Sequence, residues 1–329
     1  MTDSSIRKIG VLTSGGDAPG MNAAIRAVVR TAMSEKVSVV GISHGYKGLI
    51  NKEFTPLFGN SVSAIIHHGG TILRTSRCPE FRTEEGLDLA YQNLVDEDID
   101  ALVVIGGDGT FRGAVALMKR HPDIKIVGLP GTIDNDLYGT DYTIGYDTAL
   151  NTVVEAVDKI RDTANSHGTL FFVEVMGRDA GFIALNGGIA TGAESILIPE
   201  TVTDIDNLVK KLQYDQRKQK TWGIILVAEG EELGGAAQIA KLVKERLPNY
   251  ETRVTILGHI QRGGSPTCAD RVLATRLGYE GVKALLDGQS GIMVGIVNNK
   301  PVRIPFAKAT KSHQRIDAGM LEIARVMAL

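Results

Sequence analysis

Ala101-Leu102-Val103-Val104-Ile105-Gly106-Gly107-Asp108-Gly109-Thr110-Phe111 joins an apolar run to a glycine-rich turn, and then to a stretch whose apolar residues return every three or four positions through Arg120. A short Val/Ile run bounded by glycine is strand material, and the three-and-four period is helical. The segment therefore reads as strand, tight turn and helix, the opening of a βαβ unit. The same alternation extends both ways. Strands are expected at 8–12, 38–42, 101–105, 125–129, 170–175, 195–198, 223–228, 251–256 and 292–296. Helices are expected at 22–33, 84–97, 111–120, 148–164, 204–219, 236–246, 270–286 and 314–327. The fold class is α/β, with about nine parallel-type strands in two sheets. At 329 residues the chain exceeds what one core usually supports, so two lobes with a cleft between them are expected.

Composition narrows the function. A formal charge of −2 and a mean hydropathy of +0.02 lack the basic excess that phosphate-backbone binding needs, so no nucleic-acid partner is expected. Cys78 and Cys268 stand far apart, without metal or redox spacing, which points to a reducing, cytoplasmic setting. The N-terminus has no apolar leader and no run reaches membrane-spanning length, so no membrane association is expected.

Chemistry concentrates in turns that follow strands, where open α/β sheets hold ligands. Thr13-Ser14-Gly15-Gly16-Asp17-Ala18-Pro19-Gly20 precedes a helix, so Gly15 and Gly16 could bring backbone N–H groups to a phosphate; a plain tight turn is the alternative. No Gly-Lys-Ser/Thr follows, so this is not a P-loop. In Gly106-Gly107-Asp108-Gly109-Thr110 the carboxylate could meet Mg²⁺ on a nucleotide or simply cap the helix. Pro130-Gly131-Thr132-Ile133-Asp134-Asn135-Asp136 sets two carboxylates at i and i+2, on one side of an extended backbone, suiting a general base or metal contact, or else an ordinary Asp/Asn turn. Arg77, Arg178, Arg253 and Arg262 follow strand-like segments and suit phosphate oxygens, although each taken alone also fits a surface ion pair.

These segments, with Glu174-Val175-Met176-Gly177-Arg178 and Gly258-His259-Ile260-Gln261-Arg262-Gly263-Gly264, resemble the bacterial ATP-dependent 6-phosphofructokinases in wording, order and spacing over almost the whole chain. The resemblance implies two Rossmann-like three-layer α/β/α lobes: residues 1–145 with 263–312 for nucleotide, and 146–262 with 313–329 for sugar phosphate. It implies Asp134 as the base toward the sugar 1-hydroxyl, Thr132 and Asp136 beside it, and Arg77 and Arg178 on the moving phosphoryl group. Gly16, Tyr46, Arg77, Cys78, Gly107, Asp108, Gly109 and Thr110 would line the ATP site, with Asp108 holding Mg²⁺. Thr132, Ile133, Asp134, Met176, Gly177 and Arg178 would face fructose 6-phosphate, together with Glu229, Arg253, His259, Ile260, Gln261 and Arg262. Arg26, Arg30, Arg161, Gly192, Glu194, Lys218 and Lys220 would bind ADP or phosphoenolpyruvate as effectors of a homotetramer. Pyrophosphate-using relatives tend to carry Asp and Lys where this chain has Gly109 and Gly131, so two glycines leaving the α-phosphate space open favour ATP. Two departures stand out: Thr169 replaces an arginine that reaches a neighbouring subunit's sugar phosphate, and Gly59 replaces an effector-loop arginine.

Overall fold

The computed structural model describes residues 6–328. The chain divides into two compact units. One runs to Ile133 and adds Leu137–Thr148 and Arg262–Gln314; the other comprises Asp134–Asp136, Ala149–Gln261 and the segment from Arg315 onward. In chain order the first unit holds β1 (Lys8–Ser14), α1 (Met21–Ser34), β2 (Ser38–Ile42), α2 (Tyr46–Asn51), β3 (Phe54–Leu57), α3 (Glu84–Asp96), β4 (Ala101–Gly106), α4 (Asp108–Arg120) and β5 (Lys125–Pro130). There follow α5 (Tyr146–His167), β6 (Leu170–Val175), α6 (Phe182–Thr191), β7 (Ser195–Leu197), α7 (Ile205–Arg217), β8 (Gly223–Ala228), α8 (Gly235–Arg246) and β9 (Thr252–Ile256). The chain then returns to the first unit with α9 (Cys268–Leu286), β10 (Ile292–Val297), β11 (Lys300–Pro305) and α10 (Phe306–Ala309), and closes with α11 (Ala318–Met327) in the second.

The first unit is built on a seven-stranded sheet of order β11-β10-β5-β4-β1-β2-β3. Its five inner strands are parallel, and β3 and β11 lie antiparallel at the two edges. Every residue of β4 is buried, as a parallel strand covered on both faces requires. Alternate residues serve opposite faces. Leu102 and Val104 join the core formed with Leu94 of α3, Phe111 and Leu117 of α4, and Phe306 of α10. The other face takes α1 and α9, which meet where Gly278 leaves no room for a side chain: a Cβ there would lie 2.6 Å from Ala27 Cβ. The strand order reverses between β1 and β4, the point at which such sheets open a crevice at their carboxyl edge.

The second unit carries a four-stranded, wholly parallel sheet of order β7-β8-β6-β9. Central β8 is buried throughout, and Phe172, Ile225 and Val227 pack with Leu208 and Leu212 of α7 and Ile239 and Val243 of α8. Edge strand β9 exposes Arg253, Val254 and Ile256. Among the described residues no helix is long and apolar enough to cross a membrane.

The α/β class holds, with three corrections to the detail. Among the described residues eleven strands replace nine, because β3 and β11 are short or half-exposed and carry proline, and neither shows a buried apolar run. Helices α2, α6 and α10 escaped notice: α2 and α10 are too short for a period to show, and α6 is buried nearly all round, so no polar stripe marks it. Helix α4 begins at Asp108 rather than Phe111, placing the carboxylate inside its first turn.

Candidate active site

Strand register brings three of the glycine-rich turns level. Ser14 at the end of β1 pairs with Gly106 at the end of β4, and Gly106 pairs with Pro130 at the end of β5. Thr110 Oγ1 donates to Ser14 O at 3.0 Å, and Gly131 N donates to Gly106 O at 3.0 Å, tying the row together. Gly106 has no alternative: a Cβ would sit 2.3 Å from both Ser14 O and Thr110 Oγ1. Thr75 Oγ1 donates to Gly15 O at 2.7 Å, anchoring the segment that carries Arg77 and Cys78. Arg77 is exposed, Cys78 half-buried with its thiol pushed up, chiefly by burial.

Helix α4 starts from Gly107 with no side-chain cap, so its first N–H groups and positive dipole end are available to an anion. Asp108, in that first turn, pairs with Arg112 at 2.8 Å. Mg²⁺ characteristically takes one or two carboxylates, with substrate phosphates and water completing its octahedron, and a single carboxylate beside an open helix N-terminus fits that pattern. Among the described residues no group of three or more His, Cys, Asp or Glu side chains could hold a metal ion alone. Gly109 faces open space, with no atom within 4 Å of a Cβ built there. Gly131 does not: its Cβ would meet Ile105 and Met21 at 3.0 Å, so packing accounts for that glycine and the open-space argument rests on Gly109.

Tyr46 is buried, stacked on Phe81 at 4.0 Å, and its hydroxyl donates to Thr110 O at 2.5 Å. Burial pushes the phenol far above its ordinary range, and its hydroxyl ties the start of α2 to the first turn of α4. Gly16 is exposed, and a Cβ on it would lie 2.8 Å from Arg262 Nη1, so the guanidinium assigned to the sugar side lies over the first phosphate turn. Thr143 Oγ1 donates to Thr132 O at 2.6 Å. Ile133 is buried at 3%, which leaves only its backbone for a substrate. Asp134 is buried at 7%, Asp136 half-buried, and Asn135 between them takes a left-handed φ of 53°.

In the second unit the loop after β6 is held by side chains. Met176 N donates to Gln261 Oε1 at 3.2 Å, and Arg178 N donates to Glu229 Oε1 at 2.8 Å. Gly177, at φ 145°, has its Cβ position 2.3 Å from Ala180 O, so only glycine fits. Arg178 is exposed at φ 54°. Met176, Gly177, Arg178, Glu229 and Gln261 are thus gathered at one corner, followed by exposed His259 and Ile260. Arg253 is not among them. It pairs in register with Phe171, four residues before the end of β6, which is about 13 Å along the strand. Its Nη1 meets Glu251 at 2.5 Å.

A profile of the phosphofructokinase family matches residues 8–285. The chain belongs to the phosphofructokinase family. It is 54% identical over 325 residues to "ATP-dependent 6-phosphofructokinase 2" of Bacteroides thetaiotaomicron, covering 99% of each protein. It is likewise 54% identical over 324 residues to "ATP-dependent 6-phosphofructokinase 1" of Thermus thermophilus, covering 98% of this chain and 100% of that one. A solved phosphofructokinase from Saccharomyces cerevisiae superposes with a TM-score of 0.87 at 40% identity over 93% of this chain, which spans 45% of the yeast chain's length.

The residues matched to the family's effector site fall in both units. On α1, Arg30 is exposed, and Arg26 has its Nε buried without a partner. In the second unit Arg161 donates to the carbonyls of Thr191 and Gly192, and buried Glu194 holds Lys220 at 3.0 Å. Lys218 lies over the Tyr214 ring at 4.4 Å. Two residues absent from the sequence reading join them. Lys211 donates to Glu194 O, and Trp222 has Arg161 and Lys220 at 5.8 and 5.9 Å from its ring centroid. Lys211 shares a helical face with Lys218 at i+7, which was the available signal.

Proposed function

We propose that this chain transfers the γ-phosphoryl group of ATP·Mg²⁺ to the 1-hydroxyl of fructose 6-phosphate, giving fructose 1,6-bisphosphate and ADP at the committed step of glycolysis. The observation that carries the reading is the level row Ser14–Gly106–Pro130, with Asp108 at the uncapped start of α4 and open space at Gly109. Backbone donors there suit a polyphosphate tail. When bound, Mg²⁺ would neutralise and orient the phosphates, held by Asp108. Asp134 would accept the hydroxyl proton, its low exposure excluding bulk water, while Thr132 and Asp136 orient the acceptor. Arg77 and Arg178 would meet charge on the transferring group without proton movement, and Gly16, Cys78, Gly107 and Thr110 would line the nucleotide. Met176, Gly177, Glu229, Gln261, His259 and Arg262 would hold the sugar phosphate.

Arg253, exposed on edge strand β9, lies toward the amino-terminal end of the β6–β9 pair, away from the Gly177 corner, which suits a partner subunit's site in a homotetramer, whereas Thr169, just before β6, is only 4% exposed. Arg26, Arg30, Arg161, Lys218 and Lys220 would bind ADP or phosphoenolpyruvate, and the enzyme would work in the cytoplasm. The reading is tested by coupled assays with fructose 6-phosphate, supplying ATP·Mg²⁺ or pyrophosphate·Mg²⁺. Turnover with ATP alone is expected; turnover with pyrophosphate would overturn the donor assignment, and silence with both would remove the activity.

A further inference from the structure

Among the described residues, ten other than glycine take a left-handed φ. Six have an ordinary reason. Lys36, Lys52, Asp98 and Gln219 close helices, and Asn298 with Asn299 makes the two-residue turn between β10 and β11. Of the remaining four, Asn135 and Arg178 belong to the candidate active site, and His44 pairs with Glu53 at 2.5 Å. Arg74, at φ 57°, is the one left without such a reason. That conformation is costly for a long side chain, whereas glycine adopts it freely.

Hydrogen bonds hold the arginine there. Arg74 N donates to Thr71 O at 3.1 Å, and Arg74 O accepts from Thr13 Oγ1 at 2.8 Å. Its neighbour Thr75 donates from Oγ1 to Gly15 O at 2.7 Å. This part of the chain is therefore tied to both sides of Ser14, where β1 ends and the first phosphate turn begins. Arg74 is exposed, and its guanidinium has no hydrogen-bond, ion-pair or ring partner among the described residues. Arg262, lying over Gly16, likewise has no hydrogen-bond or ion-pair partner among them, and Asp17, the acid of the same turn, pairs with neither. An unpaired surface arginine is ordinary. One held in a strained backbone conformation against a turn of exposed glycines points to function.

We propose that Arg74 is a phosphate-binding residue of the first turn, its guanidinium pairing with the polyphosphate tail of the nucleotide. The planar fork can meet two phosphate oxygens at once. The tail is favoured over the sugar phosphate because Arg74 is fastened to Thr13 and, through Thr75, to Gly15, at the turn that faces the nucleotide. The inference rests on the ATP reading and adds a residue to it.

Calorimetric titration of the full-length protein with Mg²⁺ and β,γ-imido-ATP, without sugar, reads this contact in the absence of turnover. Arg74→Gln keeps the strained backbone and removes the charge, and should bind the analogue about tenfold more weakly. Arg74→Lys should recover part of the loss, since an ammonium keeps the charge but not the fork. Arg74→Gly should bind as weakly as Arg74→Gln yet melt at or above the wild-type temperature, because glycine relaxes the backbone. Unchanged affinity in Arg74→Gln, or a loss confined to fructose 6-phosphate, would overturn the role of Arg74 and leave the ATP reading intact. Wild-type protein that fails to bind the analogue would remove the ATP reading, and this inference with it.

Discussion

At the carboxyl edge of the seven-stranded sheet the turns are fixed by backbone pairing and glycine, whereas at the same edge of the four-stranded sheet they are fixed by long polar side chains. Ser14, Gly106 and Pro130 stand in one register, and Gly106 excludes any Cβ. By contrast, Met176 N and Arg178 N rely on the amide of Gln261 and the carboxylate of Glu229. A site for a polyphosphate needs close backbone approach and many N–H groups, which small residues allow. A site for a sugar needs directional polar groups at chosen places, which side chains supply. The two edges should therefore break in different ways.

The largest effect is expected at Asp134, where the proposed proton transfer takes place. Asp134→Ser should lower kcat by about 10²–10⁴-fold with little change in the KM of either substrate, measured by steady-state assay. A fall in affinity with kcat intact would make Asp134 a binding group. Next comes Thr169→Arg, which restores a charged phosphate contact worth about 1.5–3 kcal/mol, so kcat/KM for fructose 6-phosphate should rise roughly ten- to a hundredfold. No gain for any sugar phosphate would mean that Arg253 or another cation already fills the role.

The contrast between the edges is sharpened by a matched pair. Gly106→Ala should cost about 1–3 kcal/mol of stability and weaken ATP binding, because its Cβ would sit 2.3 Å from two oxygens. Gln261→Ala should cost about 1–2 kcal/mol by orphaning Met176 N, and should raise the KM for the sugar phosphate while sparing that for ATP. Thermal unfolding with parallel KM measurements checks both, and loss of ATP affinity in Gln261→Ala would erase the distinction.

The smallest effect is on pH dependence. Asp270 is held near 6 in the fold, mainly by burial, and would return to the ordinary carboxyl range on unfolding. Between those values the folded state keeps a proton that the unfolded chain has released. Stability contributed by this group therefore falls as pH rises toward 6 and levels off above it. The slope is at most one proton, about 1.4 kcal/mol per pH unit. Asp270→Asn should remove that slope while lowering stability at every pH, as denaturant titrations across the window would record.

Much of this was legible in the sequence, for physical reasons. Buried parallel strands such as β4 and β8 announce themselves as Val/Ile runs, and glycine-rich turns mark their carboxyl ends. What stayed hidden depends on register and on three-dimensional neighbours. Nothing local says that Arg262 lies over Gly16, that Gly131 is a packing glycine while Gly109 faces open space, or that Arg112 pairs with Asp108. Tyr46 illustrates the limit: nothing local shows that its ring stacks on Phe81 or that its hydroxyl donates to Thr110 O. Lys211 and Trp222 were missed because their grouping around Glu194 and Lys220 arises only when α7 and β8 pack together.

Phosphorus NMR of a mixture of purified protein, Mg²⁺, ATP and fructose 6-phosphate reads the proposed chemistry without a coupling enzyme. A new phosphomonoester signal at C1 of the sugar, growing in step with ADP, is expected. ADP formed without that signal, or a sugar bisphosphate formed only when pyrophosphate replaces ATP, would refute the assignment of this chain as an ATP-dependent 6-phosphofructokinase.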